Sequence, residues 1–146
     1  MAISEQQLQT DLVTAGIIRA ASLMSLMTML VICHIYAEKI QIDLDEQLRI
    51  TIRTILYVVT ILTFPILKFV RHVMLRLQKN NTPPKSRYLL AITVTMLIAE
   101  SMGIFGFVMY VLGDSYNTLY IFTMLSALAM FLHKPNKEEY KEIFES

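Results

Sequence analysis

Long stretches without a charged residue are the feature that most constrains what this chain can fold into. No Asp, Glu, Lys or Arg occurs from Ala20 to Ala37, from Thr54 to Leu67, or from Ser115 to His133. A fourth stretch, from Tyr88 to Gly113, contains Glu100 as its single charged residue. Because a helix needs about 20 largely apolar residues to cross the hydrocarbon core of a bilayer, these runs predict membrane-spanning helices.

Composition favours a membrane protein over an ordinary soluble domain. Of the 146 residues, 55% are hydrophobic and 17% are charged, whereas soluble domains carry about 25% charged residues. We therefore predict an all-α, integral membrane four-helix bundle that forms one domain over residues 1–146. The predicted helices cover about 12–37, 52–74, 88–113 and 115–133, followed by a short charged tail at 134–146.

The distribution of basic residues predicts the orientation. The segment from Lys68 to Arg87 contains six bases and no acid, so the positive-inside rule places it in the cytoplasm. With four crossings, both termini face the cytoplasm as well. The loop from Glu38 to Arg53 carries three further acids and would lie outside. We expect a multi-pass protein of the plasma membrane, in this case the bacterial inner membrane. The six bases are Lys68, Arg71, Arg76, Lys79, Lys85 and Arg87.

Both ends of the chain carry local helix signals. The first eleven residues contain Glu5 and Asp11 but no base, which differs from the basic start of a secretory signal peptide. We therefore expect the first apolar run to be retained, with Ser4 capping a short lead-in to its helix. In the tail, a short helix is predicted from Lys137 to Phe144, as a solvated extension or a docking segment.

Two parts of the sequence resemble each other. The segment Thr54–Thr63 aligns with Asn117–Ser126, and both contain a Leu-Tyr pair followed by apolar residues and Thr. This similarity indicates two duplicated helical hairpins, which would form a parallel repeat because each hairpin starts inside. Apolar helices also resemble each other by chance, so both explanations stay open.

Glu100 is the residue that most strongly suggests chemistry. It lies at the centre of the third predicted helix, where an ionisable group costs several kcal/mol unless it is neutral, paired or facing water. A carboxyl group that exchanges its proton at this depth is what a proton or sodium relay requires. Alternatively, a protonated Glu100 hydrogen-bonds a neighbouring helix and only specifies packing. Candidate hydroxyl partners at similar depth are Ser25, Thr28, Thr60, Thr63 and Ser126.

The sequence around Glu100 resembles one known family. The segment Ala99–Val108 reads Ala-Glu-Ser-Met-Gly-Ile-Phe-Gly-Phe-Val and is similar to the carboxylate helix of rotary ATPase proteolipid (c-ring) subunits. This resemblance implies that Glu100 binds the transported proton or sodium ion within a ring. The chain departs from four-helix proteolipids because its carboxylate lies on the third helix rather than the last.

Gly103 and Gly106 lie three residues apart, within two turns of Glu100. Small residues at this spacing allow neighbouring helix backbones to approach closely. We therefore predict that these two glycines mark a close helix contact beside the carboxyl group.

The histidines and the cysteine give weaker signals. His72 and His133 lie near the predicted cytoplasmic ends of helices 2 and 4, where a histidine pair could ligate a b-type haem. Interfacial positions beside basic residues also explain both, so no cofactor is predicted. An interfacial position also explains His34. The second interpretation is that His34 binds and releases protons on a path between Glu100 and the outside of the membrane. Cys33 has no partner for an intrachain disulfide.

No signature of a soluble enzyme is present. The sequence contains no Gly-rich phosphate loop, no nucleophile elbow, no His-Glu-x-x-His and no Cys-x-x-Cys. These absences favour a protein without catalytic activity of its own and leave a membrane enzyme as the third alternative, which no cluster of polar residues supports. We predict no metal site and no nucleic-acid partner. Short loops leave little room for a substrate site, which favours a homo-oligomer or a complex with other membrane subunits in contact with lipid. Within it, the chain is either an ion-coupled subunit with Glu100 as carrier or a structural subunit.

Overall fold

All regular structure in this chain is helical over residues 4–77 and 83–145, the part that a computed structural model describes. Lys79 and the predicted break at Asn80-Asn81-Thr82 lie outside these residues. The elements are α1 (Glu5–Ile35), α2 (Ala37–Ile40), α3 (Glu46–His72), a π-helical turn (Val73–Leu77), α4 (Pro84–Val111), α5 (Tyr116–Leu132) and α6 (Lys137–Glu145).

Three of these helices are long and apolar enough to cross a membrane. They are Glu5–Ile35, which is α1, Glu46–Arg76, which is α3 with most of the π-helical turn, and Pro84–Val111, which is α4. This confirms the all-helical class and indicates an integral membrane protein. The fourth apolar helix, α5, has 17 residues, so its crossing of the bilayer stays a prediction.

Helices α1, α3 and α4 begin before the predicted starts at 12, 52 and 88, whereas α5 begins one residue after its predicted start at 115. The Ser4 hydroxyl accepts a hydrogen bond from the backbone N–H of Gln7 at 3.2 Å, as predicted, and α1 therefore starts at Glu5. Asp45 caps α3 in the same way through the N–H of Leu48 at 3.3 Å. At α4, Pro84 occupies the first turn, where its missing N–H costs nothing. The charge pattern thus marked the apolar part of each helix and not its ends.

Helix α4 occupies the centre of the bundle and contacts α5, α1 and α3. Its neighbours α1 and α3 turn large apolar side chains outward, among them Met24, Ile61 and Phe69. Exposed apolar faces of this extent are rare on soluble monomers and are typical of surfaces that meet lipid or another protein. The core therefore lies around α4, and the outer faces of α1 and α3 are its apolar exterior.

The contact between α4 and α5 is close because both helices present small residues. Ser126 Oγ of α5 donates a hydrogen bond to the carbonyl oxygen of Ala99 at 2.7 Å. A Cβ atom on Gly106 would lie 2.7 Å from Cβ of Phe122 and 3.2 Å from the Leu119 carbonyl oxygen. A Cβ atom on Gly103 would overlap the side chain of Leu26 in α1. Both glycines therefore lie where neighbouring helices approach the α4 backbone.

The turn between α4 and α5 is fixed to α3. Gly113 has a φ of 92°, a left-handed conformation that favours glycine. Arg49 Nη1 donates to the Gly113 carbonyl oxygen at 3.3 Å, and Arg53 forms an ion pair with the buried Asp114 at 3.2 Å. These contacts hold the start of α5 beside the start of α3.

We predict that Gly106→Ala destabilises the protein by about 1–3 kcal/mol, because the new methyl group meets the Phe122 Cβ and a backbone oxygen that cannot move aside easily. Gly16→Ala is the matched control, since a Cβ there meets nothing within 4 Å and alanine favours a helix by about 1 kcal/mol. Thermal unfolding in mild detergent measures both. Equal melting temperatures for the two variants would contradict the close contact at Gly106.

Candidate functional site

Glu100 lies near the middle of α4 and is half-buried. Its side chain has no hydrogen-bond or ion-pair partner among residues 4–77 and 83–145. Leu97 and Ile104, one turn before and after it, are both exposed, whereas the adjacent Ala99 and Gly103 are buried. Glu100 therefore sits at the border between the core of the bundle and an exposed apolar strip of α4.

The predicted hydroxyl partners on α1 and α3 do not reach Glu100. Ser25 and Thr28 are exposed on α1, and the Thr28 hydroxyl bonds the Met24 carbonyl oxygen of its own helix at 2.8 Å. Thr63 does the same with the Val59 carbonyl oxygen at 2.7 Å. Threonine commonly satisfies its hydroxyl in this way within a helix, and neither of these two hydroxyl groups forms a hydrogen bond with the Glu100 carboxyl group.

The two remaining candidates are buried. Ser126 contacts the backbone beside Glu100, through its bond to the Ala99 carbonyl oxygen, and not the carboxyl group itself. Thr60 is fully buried on α3, and its hydroxyl oxygen has no hydrogen-bond partner among the described residues. The structure thus does not assemble the five hydroxyl groups around Glu100.

His34 is part of an aromatic cluster at the other end of α1 from the tail. Its Nε2 lies 2.7 Å from Tyr120 Oη and its Nδ1 lies 2.8 Å from the Leu30 carbonyl oxygen. Its ring packs against that of Tyr116 with centroids 4.8 Å apart. The sequence did contain a signal for this cluster, because Tyr116 and Tyr120 are four residues apart and share one face of α5.

A basic cleft of about 600 Å³ lies where α3, α5 and α6 meet. His72 and His133, the two histidines considered for haem, both line it. His133 is buried, and its Nε2 has no hydrogen-bond partner among the described residues. Burial, together with the positive charges of Arg71 and Lys68, lowers the pKa of His133, which favours the neutral imidazole at pH 7. The basic residues that line this cleft are Lys68, Arg71, Arg76, Lys134 and Lys137.

Arg71 holds the cleft together from the end of α3. Its Nε donates to Glu139 Oε1 at 2.9 Å, and its Nη1 donates to the His133 carbonyl oxygen at 2.5 Å. Arg76 adds an exposed ion pair with Glu142 at 2.7 Å. The guanidinium group of Arg71 therefore links the C-terminal ends of α3 and α5 to α6.

The tail helix is docked through a buried acid on α1. Tyr140 Oη donates to Asp11 Oδ2 at 2.5 Å, and Lys85 Nζ lies 3.1 Å from Asp11 Oδ1. The Tyr140 ring packs on Tyr88 with centroids 4.7 Å apart. Burial and the hydrogen bond to Asp11 raise the pKa of Tyr140, so its hydroxyl remains a donor. The predicted tail helix is confirmed, and it is a docked element of the bundle.

Asp11 is a residue whose place the sequence did not reveal. It entered the sequence analysis only as an argument against a signal peptide, although an acid next to an apolar run of a long helix needs a partner. The sequence could therefore have indicated that Asp11 has a polar partner. It could not have identified that partner, Tyr140, which lies 129 positions away and has no local pattern that points to α1.

No family model, curated protein or solved structure matches this chain. The resemblance of Ala99–Val108 to c-ring subunits therefore stays a prediction, and nothing found here tests haem ligation by His72 and His133, the alternative that the sequence analysis set behind an interfacial role. Among residues 4–77 and 83–145 no group of three or more His, Cys, Asp or Glu side chains is placed to hold a metal ion.

We predict that Tyr140→Phe weakens the docking of α6. The substitution keeps the ring contact with Tyr88 but leaves Asp11 Oδ2 buried without its donor, at a cost of about 1–3 kcal/mol. Hydrogen exchange of the α6 amides should accelerate by about tenfold. Glu138→Gln, at an exposed position of α6, is the matched control and should exchange like the wild type. Unchanged exchange in Tyr140→Phe would show that this hydrogen bond does not hold the tail.

Proposed function

We propose that this chain is a multi-pass subunit of a membrane complex in which Glu100 binds a proton or a sodium ion at a site completed from outside the chain. The observation that carries the proposal is the unpartnered, half-buried carboxyl group near the middle of α4. The hydroxyl groups of residues 4–77 and 83–145 do not satisfy it, and we infer that its partner is an ion, water or another chain.

The energetics favour a titrating role. A charged carboxylate in the hydrocarbon core costs several kcal/mol, and this cost is avoided when the group takes up a proton or meets a cation. A sodium ion requires several oxygen ligands, and the predicted hydroxyl groups of Thr28, Thr63 and Ser126 bond backbone carbonyl oxygens and are not assembled around Glu100. A proton is therefore the ligand that this chain can hold with its own atoms, and sodium binding would need ligands from a neighbouring subunit.

The proposal includes four crossings with both termini in the cytoplasm. Helix α5 has 17 residues, which correspond to about 26 Å, slightly less than the hydrocarbon core of about 30 Å. His133 and Lys134 follow it directly and can extend toward the headgroups, as flanking residues of short spans do. Together with the basic segment from Lys68 to Arg87, this supports four crossings with that segment in the cytoplasm, and the proposal takes the membrane to be the plasma membrane, such as the bacterial inner membrane.

A structural subunit is the second candidate, and one observation favours it. Leu97 and Ile104 flank Glu100 on the exposed strip of α4, so a helix of a neighbouring subunit that packs there would meet the carboxyl group. In that case Glu100 would donate one hydrogen bond across the contact, and its role would be assembly only. Self-association in a ring, as the c-ring resemblance implies, is compatible with either role.

Substitution of Glu100 separates these two functions. Glu100→Gln keeps the size and the hydrogen-bonding capacity but removes the exchangeable proton. We expect Glu100→Gln to assemble normally in mild detergent but to lose proton or sodium flux in proteoliposomes that contain the complex purified with this chain, while Glu100→Asp retains part of it. Reaction with dicyclohexylcarbodiimide, which modifies protonated carboxyl groups in apolar surroundings, should label wild-type Glu100 less as the pH rises.

The control for this labelling is Glu138, an exposed acid of α6, which should not react under the same conditions. Slower labelling of Glu100 in the presence of sodium would identify sodium as the ligand. Full activity of Glu100→Gln would refute the ion-carrier function and leave the structural subunit as the function of the chain.

A further inference from the structure

We propose that the basic cleft between α3, α5 and α6 binds the phosphate group of an anionic phospholipid from the cytoplasmic leaflet. Its phosphate chemistry follows from the residues of the cleft alone. The choice of a lipid as the source rests on the proposed function, since it requires that α3 and α5 cross the membrane.

The positive charge of the cleft exceeds the negative charge that the described residues place beside it. Five bases line it, whereas Glu139 is the acid among its described lining residues. Arg71 pairs with Glu139 and Arg76 with Glu142. Lys68, Lys134 and Lys137 have no carboxylate within ion-pair distance in the part of the chain that the structure describes. Three lysine ammonium groups in the cleft therefore have no carboxylate partner among the described residues, and a bound anion would neutralise their charge.

Helix ends do not account for this excess. The C-terminal end of a helix carries a partial negative charge that favours a nearby base. At the end of α5, Arg71 already meets this demand by donating to the carbonyl oxygens of His133 and Lys134. The lysines are therefore additional to the base that the backbone needs.

A buried histidine points to the same ligand. The His133 side chain lines the cleft, is 7% exposed, and has an Nε2 atom without a partner among the described residues. A buried polar atom of this kind normally has a partner, and a phosphate oxygen in the cleft would accept a hydrogen bond from it. A volume of about 600 Å³ is within the range of small-molecule sites and accommodates a glycerophosphate headgroup.

The position of the cleft favours a lipid over a free anion. Lys68 lies one turn before Arg71 near the end of α3, next to the exposed, apolar Phe69. Lys134 lies two residues after Leu132 and three after Phe131, which are both exposed on α5. Apolar residues for the acyl chains are therefore adjacent to bases for the phosphate group, as at the anionic surface of a cytoplasmic leaflet.

The test uses the full chain, purified in a mild neutral detergent and examined by native mass spectrometry. The probes are phosphatidylglycerol, phosphatidylcholine and inorganic phosphate. We expect the wild type to retain phosphatidylglycerol in preference to phosphatidylcholine. Lys68→Gln combined with Lys134→Gln should weaken phosphatidylglycerol binding by about 30-fold, because each lysine near an anionic surface contributes about fivefold. The matched control, Lys39→Gln combined with Lys141→Gln, removes the same charge outside the cleft and should bind like the wild type.

A second measurement reports on the site directly. The ¹⁵N resonance of the His133 Nε2 atom should shift when phosphatidylglycerol is added to the wild type, and less in the Lys68→Gln, Lys134→Gln variant. A shift with inorganic phosphate but not with the lipid would keep the phosphate chemistry and overturn the lipid source. Equal lipid binding by both double variants, with no His133 shift, would overturn the site.

Dicyclohexylcarbodiimide labelling of Glu100 in the same samples separates the two proposals. If Glu100 is labelled normally while the cleft binds no phosphate, the cleft proposal alone has failed. If the cleft binds lipid while Glu100 does not react, the ion-carrier function alone has failed.

Discussion

The close packing of α5 on α4 is the interaction on which the rest of the structure depends. A single hydrogen bond from Ser126 to the Ala99 carbonyl oxygen and the missing side chain at Gly106 bring the two backbones together. Because association of apolar helices relies on such close contacts rather than on the hydrophobic effect, this pair forms the centre that α1 and α3 cover. The same contact sets the rotation of α4, which places Glu100 at the edge of the core instead of inside it.

Polar groups at the two ends of the bundle connect helices through hydrogen bonds and ion pairs, in addition to the apolar contacts at its centre. At one end, Asp114 and Arg53 join the α4–α5 turn to α3. At the other, Asp11 and Arg71 each bind α6, which ties the tail to α1 and α3. Glu100 differs from these groups because it is the carboxyl group in the apolar middle of a long helix and has no partner among the described residues. That contrast is why we assign it a role that involves a ligand or a neighbour.

The helices could be predicted from the sequence because the cost of a charge in an apolar environment is large and acts locally along the chain. Glu100 was recognisable for the same reason. The capping of α3 by Asp45 was not predicted because the predicted helix began at about 52, well after this residue. The docking of Tyr140 on Asp11 was not predicted because this contact joins the two ends of the chain. Three bases of the cleft, Lys68, Arg71 and Arg76, entered the sequence analysis as part of a topology signal, and their convergence with bases of the tail was not predicted, because nothing in a charge count shows which bases meet at one cavity.

The most direct test of the central claim, that Glu100 is completed from outside the chain, is photocrosslinking in native membranes. A benzophenone amino acid replaces Ile104, one turn from Glu100 on the exposed strip of α4. In a control, it replaces Met124, an exposed position of α5 that measures nonspecific crosslinking. We predict that position 104 crosslinks to a protein, either a second copy or another subunit, well above the level at position 124. Crosslinks from position 104 to lipid alone would contradict a subunit contact beside Glu100.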